Sequence, residues 1–226
     1  MKPVICTIFL MGLLFSSFTP KPQQRRKVIF FGDSITEAAV KPNGYIEVLK
    51  SMLVNQQLDG RYDLIGSGIG GNKVYDLYLR MEEDVLSKKP DIVVIYIGVN
   101  DVWHKQSSGT GTDPDKFVRF YKAILAKLKA ANIKVVLCTP AVIGERTDFS
   151  NQLDGDLNRY SNMIRDLAAK EQLPLVDLRK AFLDYNLKNN TGNKESGILT
   201  SDRVHLNEAG NRLVAEAMWT VLKTVN

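Results

Sequence analysis

Val28-Ile29-Phe30-Phe31-Gly32-Asp33-Ser34-Ile35-Thr36-Glu37 is the stretch whose reading decides the fold. An apolar, partly β-branched run makes a strand. Gly32 stops it, and Asp33 and Ser34 open a helix-compatible segment. A strand that ends at a glycine, beside a serine that starts a helix, puts a hydroxyl at the carboxyl end of a sheet. Open α/β sheets hold their sites at that end. The helix start also aims backbone N–H groups at any anion formed there. Two readings of Ser34 stand at this point: a nucleophile, or a helix cap shared with Asp33.

The same alternation runs on through the chain. Strands are predicted at residues 27–31, 62–65, 92–97, 134–138 and 175–176, with a helical pattern after each. Residues 92–97 are continuously apolar, as in a strand buried on both faces of a parallel sheet. Residues 104–113 and 188–197 are polar and read as loops. Five strand–helix repeats predict an α/β fold: a three-layer α/β/α sandwich around a five-stranded, mostly parallel sheet.

Composition sets the outer bounds. The chain has 226 residues with 44% hydrophobic and 24% charged, which is globular rather than disordered. The net charge is +5, but the cations are scattered and only Arg25-Arg26-Lys27 cluster, so nucleic-acid binding is not expected. Lys2 followed by an apolar run over residues 4–18 reads as a signal peptide, residues 1–20, of an exported (periplasmic or secreted) protein. That run is short for a membrane span, and an uncleaved anchor is the alternative. Residues 21–26 read as a linker and 27–226 as a single domain. With the signal removed, Cys138 is the sole cysteine and no intramolecular disulfide can form.

Two chemistries compete for the strand ends. Gly66-Ser67-Gly68-Ile69-Gly70-Gly71 satisfies G-x-G-x-x-G between a strand and a helix. It lies in the second strand–helix unit, however. The acid some twenty residues on, Asp91, opens a strand rather than closing one. A dinucleotide site is therefore disfavoured.

A nucleophilic serine needs a base, a group that orients the base, and donors for an oxyanion. The chain has 2 histidines, so the search for a base is short. His205 has Asp202 three residues before it in a turn, close enough to hold Nδ1–H and leave Nε2 facing the serine. His104, after Asn100, reads as a rim or substrate contact. Gly71 in a tight turn, the Asn100 amide and the Ser34 N–H are candidate donors. All follow strands, so a parallel sheet brings them to one edge. Asp33 and Asp101 read as structural ties.

These blocks resemble the SGNH (GDSL-type) hydrolases. Gly32-Asp33-Ser34-Ile35, Gly68-Ile69-Gly70-Gly71-Asn72, Gly98-Val99-Asn100-Asp101 and Asp202-Arg203-Val204-His205 match its four motifs in order, with Ile35 where the family name has leucine. The resemblance implies a flavodoxin-like sheet with no cofactor and no metal. It implies Ser34 as nucleophile, His205 as base, Asp202 as its partner, and an oxyanion hole of Ser34, Gly71 and Asn100. The family pattern favours Gly71 over Gly70 as donor. The expected activity is ester hydrolysis through an acyl-enzyme, with short acyl groups on a small-molecule or polysaccharide substrate. Gly70, Asn72, Trp103 and His104 are the expected substrate contacts, and Tyr75 offers a second ring for a sugar. A lysophospholipase- or acetylhydrolase-like lipid esterase, an acyltransferase and a non-catalytic binding protein are the alternatives.

Overall fold

The computed structural model describes residues 25–225, and the expected signal segment and most of the linker lie outside them. The five strands are β1 (Arg26–Gly32), β2 (Tyr62–Gly68), β3 (Ile92–Tyr96), β4 (Lys134–Cys138) and β5 (Leu175–Val176). They form one sheet in the order β2-β1-β3-β4-β5, with every neighbouring pair parallel. The register sets Gly32 beside Gly68 on one side and Tyr96 on the other. The ends of β1, β2 and β3 are therefore level, and the chain leaving each one enters the same space.

Among the described residues eight α-helices cover the sheet: α1 (Ser34–Ala38), α2 (Tyr45–Asn55), α3 (Val74–Asp84), α4 (Val99–Ser107), α5 (Pro114–Ala130), α6 (Asp154–Glu171), α7 (Leu178–Asn189) and α8 (Glu208–Leu222). Successive strand residues face opposite sides. Phe30 meets Tyr45 of α2 edge-on at 5.9 Å, while Phe31 lies under Arg80 of α3 at 4.4 Å. α2 packs on α8, and α3 on α5. All of β3 is buried, so each of its side chains contributes about 1.5–3 kcal/mol by leaving water. Cys138 is buried as well, and burial pushes its thiol well above the ordinary range, leaving an unreactive core residue.

The structure adjusts the expected boundaries where local pattern was weak. Arg26 is the first residue of β1, not the last of a linker. Residues 104–107 belong to α4, so the expected loop is only its continuation. Apart from Val99, Asn100 and Asp101 in its first turn, α4 buries Val102 alone, too little to make a visible apolar stripe. β2 runs on to Gly68, since its last residues pair with β1. Gly68 has to be glycine for a different reason from nucleotide binding. A Cβ there would lie 2.0 Å from the Glu37 backbone N, because α1 crosses directly over the strand end. Asp91 accepts from the Lys27 N–H at 2.7 Å, at the amino ends of the strands. Both facts dispose of the dinucleotide reading.

Candidate active site

Asp33 follows β1 in extended conformation and caps α1, its carboxylate accepting from the Ile35 N–H at 3.0 Å. This leaves Ser34 as the first helical residue. Ser34 Oγ–H donates to His205 Nε2 at 2.9 Å, and His205 Nδ1–H donates to Asp202 at 2.7 Å. The carboxylate on Nδ1 fixes the tautomer with the lone pair on Nε2. The other Asp202 oxygen accepts the backbone N–H groups of Val204 at 3.1 Å and His205 at 2.7 Å. Burial alone would raise the Asp202 carboxyl, but the His205 ring and these N–H groups outweigh it and hold it below the ordinary value.

The loop carrying this pair is itself anchored. Thr200 and Leu206 bridge in antiparallel fashion across its neck. Arg203 takes a left-handed φ of 84° at its tip. Below it, the buried Glu145 accepts from three successive backbone N–H groups: Ile198 at 2.8 Å, Leu199 at 2.6 Å and Thr200 at 2.8 Å. Glu145 carries no motif in the sequence, and only its burial reveals it. Arg146 turns away to Glu195 at 3.9 Å, an exposed pair.

The expected donors lie on the other side of Ser34. Asn72 N–H donates to Ile69 O at 3.3 Å, which closes a turn around Gly70 and Gly71. Gly71 has φ 75°, as the third position of a type II turn requires. A side chain at Gly70 would begin 4.0 Å from Ser34 Cβ, so the turn lies against the serine. Asn100 Nδ2 donates to Asn72 O at 3.1 Å, which ties the start of α4 to the same turn and leaves its second N–H for another acceptor. Among the described residues, the Ser34 and Gly71 N–H groups have no protein acceptor.

The remaining expected contacts divide. His104 Cε1 is 3.8 Å from the Cβ position of Gly71, so His104 borders the turn. Its own burial, then the nearby Lys73 ammonium, depress its imidazole below the ordinary range. Trp103 lies tilted beside it at 5.5 Å. Tyr75 donates to Thr110 O at 3.4 Å and lies near the Lys73 ammonium. Asn72 Oδ1 accepts from Arg80 Nε at 2.7 Å, which commits that oxygen to α3 rather than to a substrate. Asp101 is the tie its position suggests: its carboxylate accepts from the Val74 N–H at 3.2 Å and joins α4 to α3. Among the described residues no group of acids, histidines or cysteines has metal-binding geometry.

Burial pushes the Asp33 carboxyl up to about 7, against the Ile35 N–H and the charges of His205 and Arg80, which lower it. A folded value above the unfolded one gives stability that is present in acid and lost as pH rises through about 7. Asn at this position keeps an oxygen for the Ile35 N–H and never ionises. Relative to wild type, Asp33→Asn therefore gains thermal stability between pH 5 and pH 8. A melting-temperature difference that is constant over that range would contradict the assignment.

A parallel sheet covered on both faces, with a serine, histidine and aspartate in hydrogen-bond relay at its carboxyl edge, defines an α/β serine hydrolase. The chain belongs to the GDSL-like Lipase/Acylhydrolase family, which it matches over residues 30–213. It is an esterase of that family. The crystal structure of the acetyl xylan esterase AlAXEase superimposes with a TM-score of 0.85 and 62% identity, covering 88% of this chain and 100% of that one. An acetylxylan esterase of Geobacillus stearothermophilus is 30% identical, covering 84% of this chain and 91% of its own length. A structure of Axe2, an acetylxylan esterase from the same organism, is a catalytic mutant with serine replaced by alanine. It matches with a TM-score of 0.78 and 26% identity over 88% of this chain and 95% of that one.

Proposed function

We propose that the protein removes acetyl groups from acetylated carbohydrate, with xylo-oligosaccharide as the substrate class, and that Ser34, His205 and Asp202 carry the reaction. The unbroken relay from Ser34 Oγ through His205 to Asp202 is the observation that carries the chemistry. The 62% identity to an acetyl xylan esterase supports the substrate class.

In this reading Ser34 Oγ attacks the acetyl carbonyl while its proton passes to His205 Nε2. Asp202 stabilises the imidazolium. The carbonyl oxygen becomes an oxyanion held by the Ser34 and Gly71 N–H groups and the Asn100 amide. His205 returns the proton to the departing sugar oxygen, and the C–O bond breaks. Water then attacks the acetyl-enzyme by the same steps, releasing acetate and free Ser34. The sugar leaves on the His205 side. His104 borders the opposite, oxyanion side beside Gly71, with Trp103 behind it, and bounds the acyl space in this reading. Among the described residues no helix is long and apolar enough to cross a membrane. The basic and apolar start of the sequence, Lys2 and residues 4–18, supports an exported protein.

Hydrolysis of p-nitrophenyl acetate, butyrate and octanoate tests the acyl preference. The expected kcat/KM falls steeply from acetate to octanoate. A flat or rising series would favour a lipid esterase instead.

A further inference from the structure

We propose that Arg80 is a positioning residue for the oxyanion hole. Its guanidinium holds the end of the nucleophile strand and the exit of the glycine turn in one fixed relation. The proposal rests on the oxyanion reading given above.

Arg80 lies within α3, with its side chain only 15% exposed. Its five N–H donors are all used. Nη2 donates to Gly32 O at 2.8 Å and to Ser67 O at 3.1 Å. Nη1 donates to Ser67 Oγ at 3.1 Å and to Asp84 at 2.6 Å. Nε donates to Asn72 Oδ1 at 2.7 Å. The plane stacks 4.4 Å from the centre of the Phe31 ring.

Three of these partners, Gly32, Ser67 and Asn72, lie on the segments that carry or adjoin the proposed donors. Gly32 is two residues before Ser34, and Ser67 pairs with Phe31 at the end of β2. Asn72 follows Gly71 directly, and its carbonyl receives the Asn100 amide at 3.1 Å. Arg80 thus connects to all three proposed donors through Gly32 and Asn72, without contacting the reacting atoms. A planar fork is needed for this. Lysine has three donors at a single point and cannot span both strand ends and Asn72 together. Asp84 fixes the fork from behind, and the Phe31 ring fixes its plane.

A positioning role differs from a merely structural one in its coupling to Asn100. The experiment measures kcat and KM on p-nitrophenyl acetate for Arg80→Met, Arg80→Lys, Asn100→Ala and the double variant Arg80→Met/Asn100→Ala. Asn100→Ala is expected to lower kcat by roughly 10²–10³-fold. Arg80→Met is expected to lower kcat by up to about 10²-fold, with KM little changed, as misplacement of the donors costs turnover rather than binding. Arg80→Lys recovers only a minor part of this. In the Asn100→Ala background the Arg80→Met loss shrinks several-fold, since the donor it positions is gone. Equal losses in both backgrounds, or a raised KM with unchanged kcat, would overturn the proposal. If Arg80→Met does not fold, Asn72→Ala removes the Nε link alone. It should lower kcat with the same non-additivity, and full additivity there also overturns the proposal. An Asn100→Ala variant with wild-type kcat would instead refute the oxyanion reading itself, and this inference with it.

Discussion

Ser34→Ala should lower kcat on p-nitrophenyl acetate by about 10⁶-fold, the scale at which loss of a serine nucleophile disables such a relay. The loss falls on kcat because Oγ forms the bond that defines the intermediate, and among the described residues no other hydroxyl is hydrogen-bonded to His205 Nε2. KM should change little, because Oγ contributes little to ground-state binding. The fold should also be intact. The Ser34 side chain makes its one protein hydrogen bond to His205, while the cap of α1 belongs to Asp33. Turnover within about tenfold of wild type from a folded variant would remove Ser34 as nucleophile.

Asp202→Asn should cost about 10⁴-fold in kcat. Asp202 carries two tasks on two oxygens. One oxygen receives the Val204 and His205 backbone N–H groups at 3.1 and 2.7 Å, and the other receives His205 Nδ1–H at 2.7 Å. An asparagine keeps the first contact with its carbonyl oxygen and then points an NH₂ at Nδ1. The ring must answer with a lone pair on Nδ1 and a proton on Nε2, which cannot accept from Ser34. Geometry is kept and the tautomer is lost. The measurement is kcat with melting temperature beside it, and the expected result is inactivity at near wild-type stability. Activity within tenfold of wild type would show that Asp202 neither orients nor charges the base.

The parallel sheet and the four site blocks were legible because they depend on local chemistry repeated at strand ends. A β-branched run, a glycine stop and a polar residue recur at Gly32-Asp33-Ser34 and Gly98-Val99-Asn100, and parallel topology does the rest. The spacing of Asp202 and His205 is a turn-scale contact, readable without knowing the fold.

What was hidden depends on distance along the chain. Arg80 donates to a carbonyl 48 residues away, and Glu145 receives N–H groups up to 55 residues away. Backbone partners leave no mark on the sequence, so neither residue forms a motif. Asn72, expected as a substrate contact, has its Oδ1 taken by Arg80, a partner that its family block does not mark. The end of helix α4 reads as loop in the sequence because the helix's burial comes from its first turn and Val102, not from an apolar stripe.

Acetate release from acetylated xylo-oligosaccharide, followed beside Ser34→Ala, tests the central claim most directly. The predicted result is stoichiometric acetate with unmodified sugar as the other product, abolished in the variant. Protein that cleaves p-nitrophenyl acetate yet releases no acetate from the oligosaccharide, or a variant that still releases it, would contradict the claim.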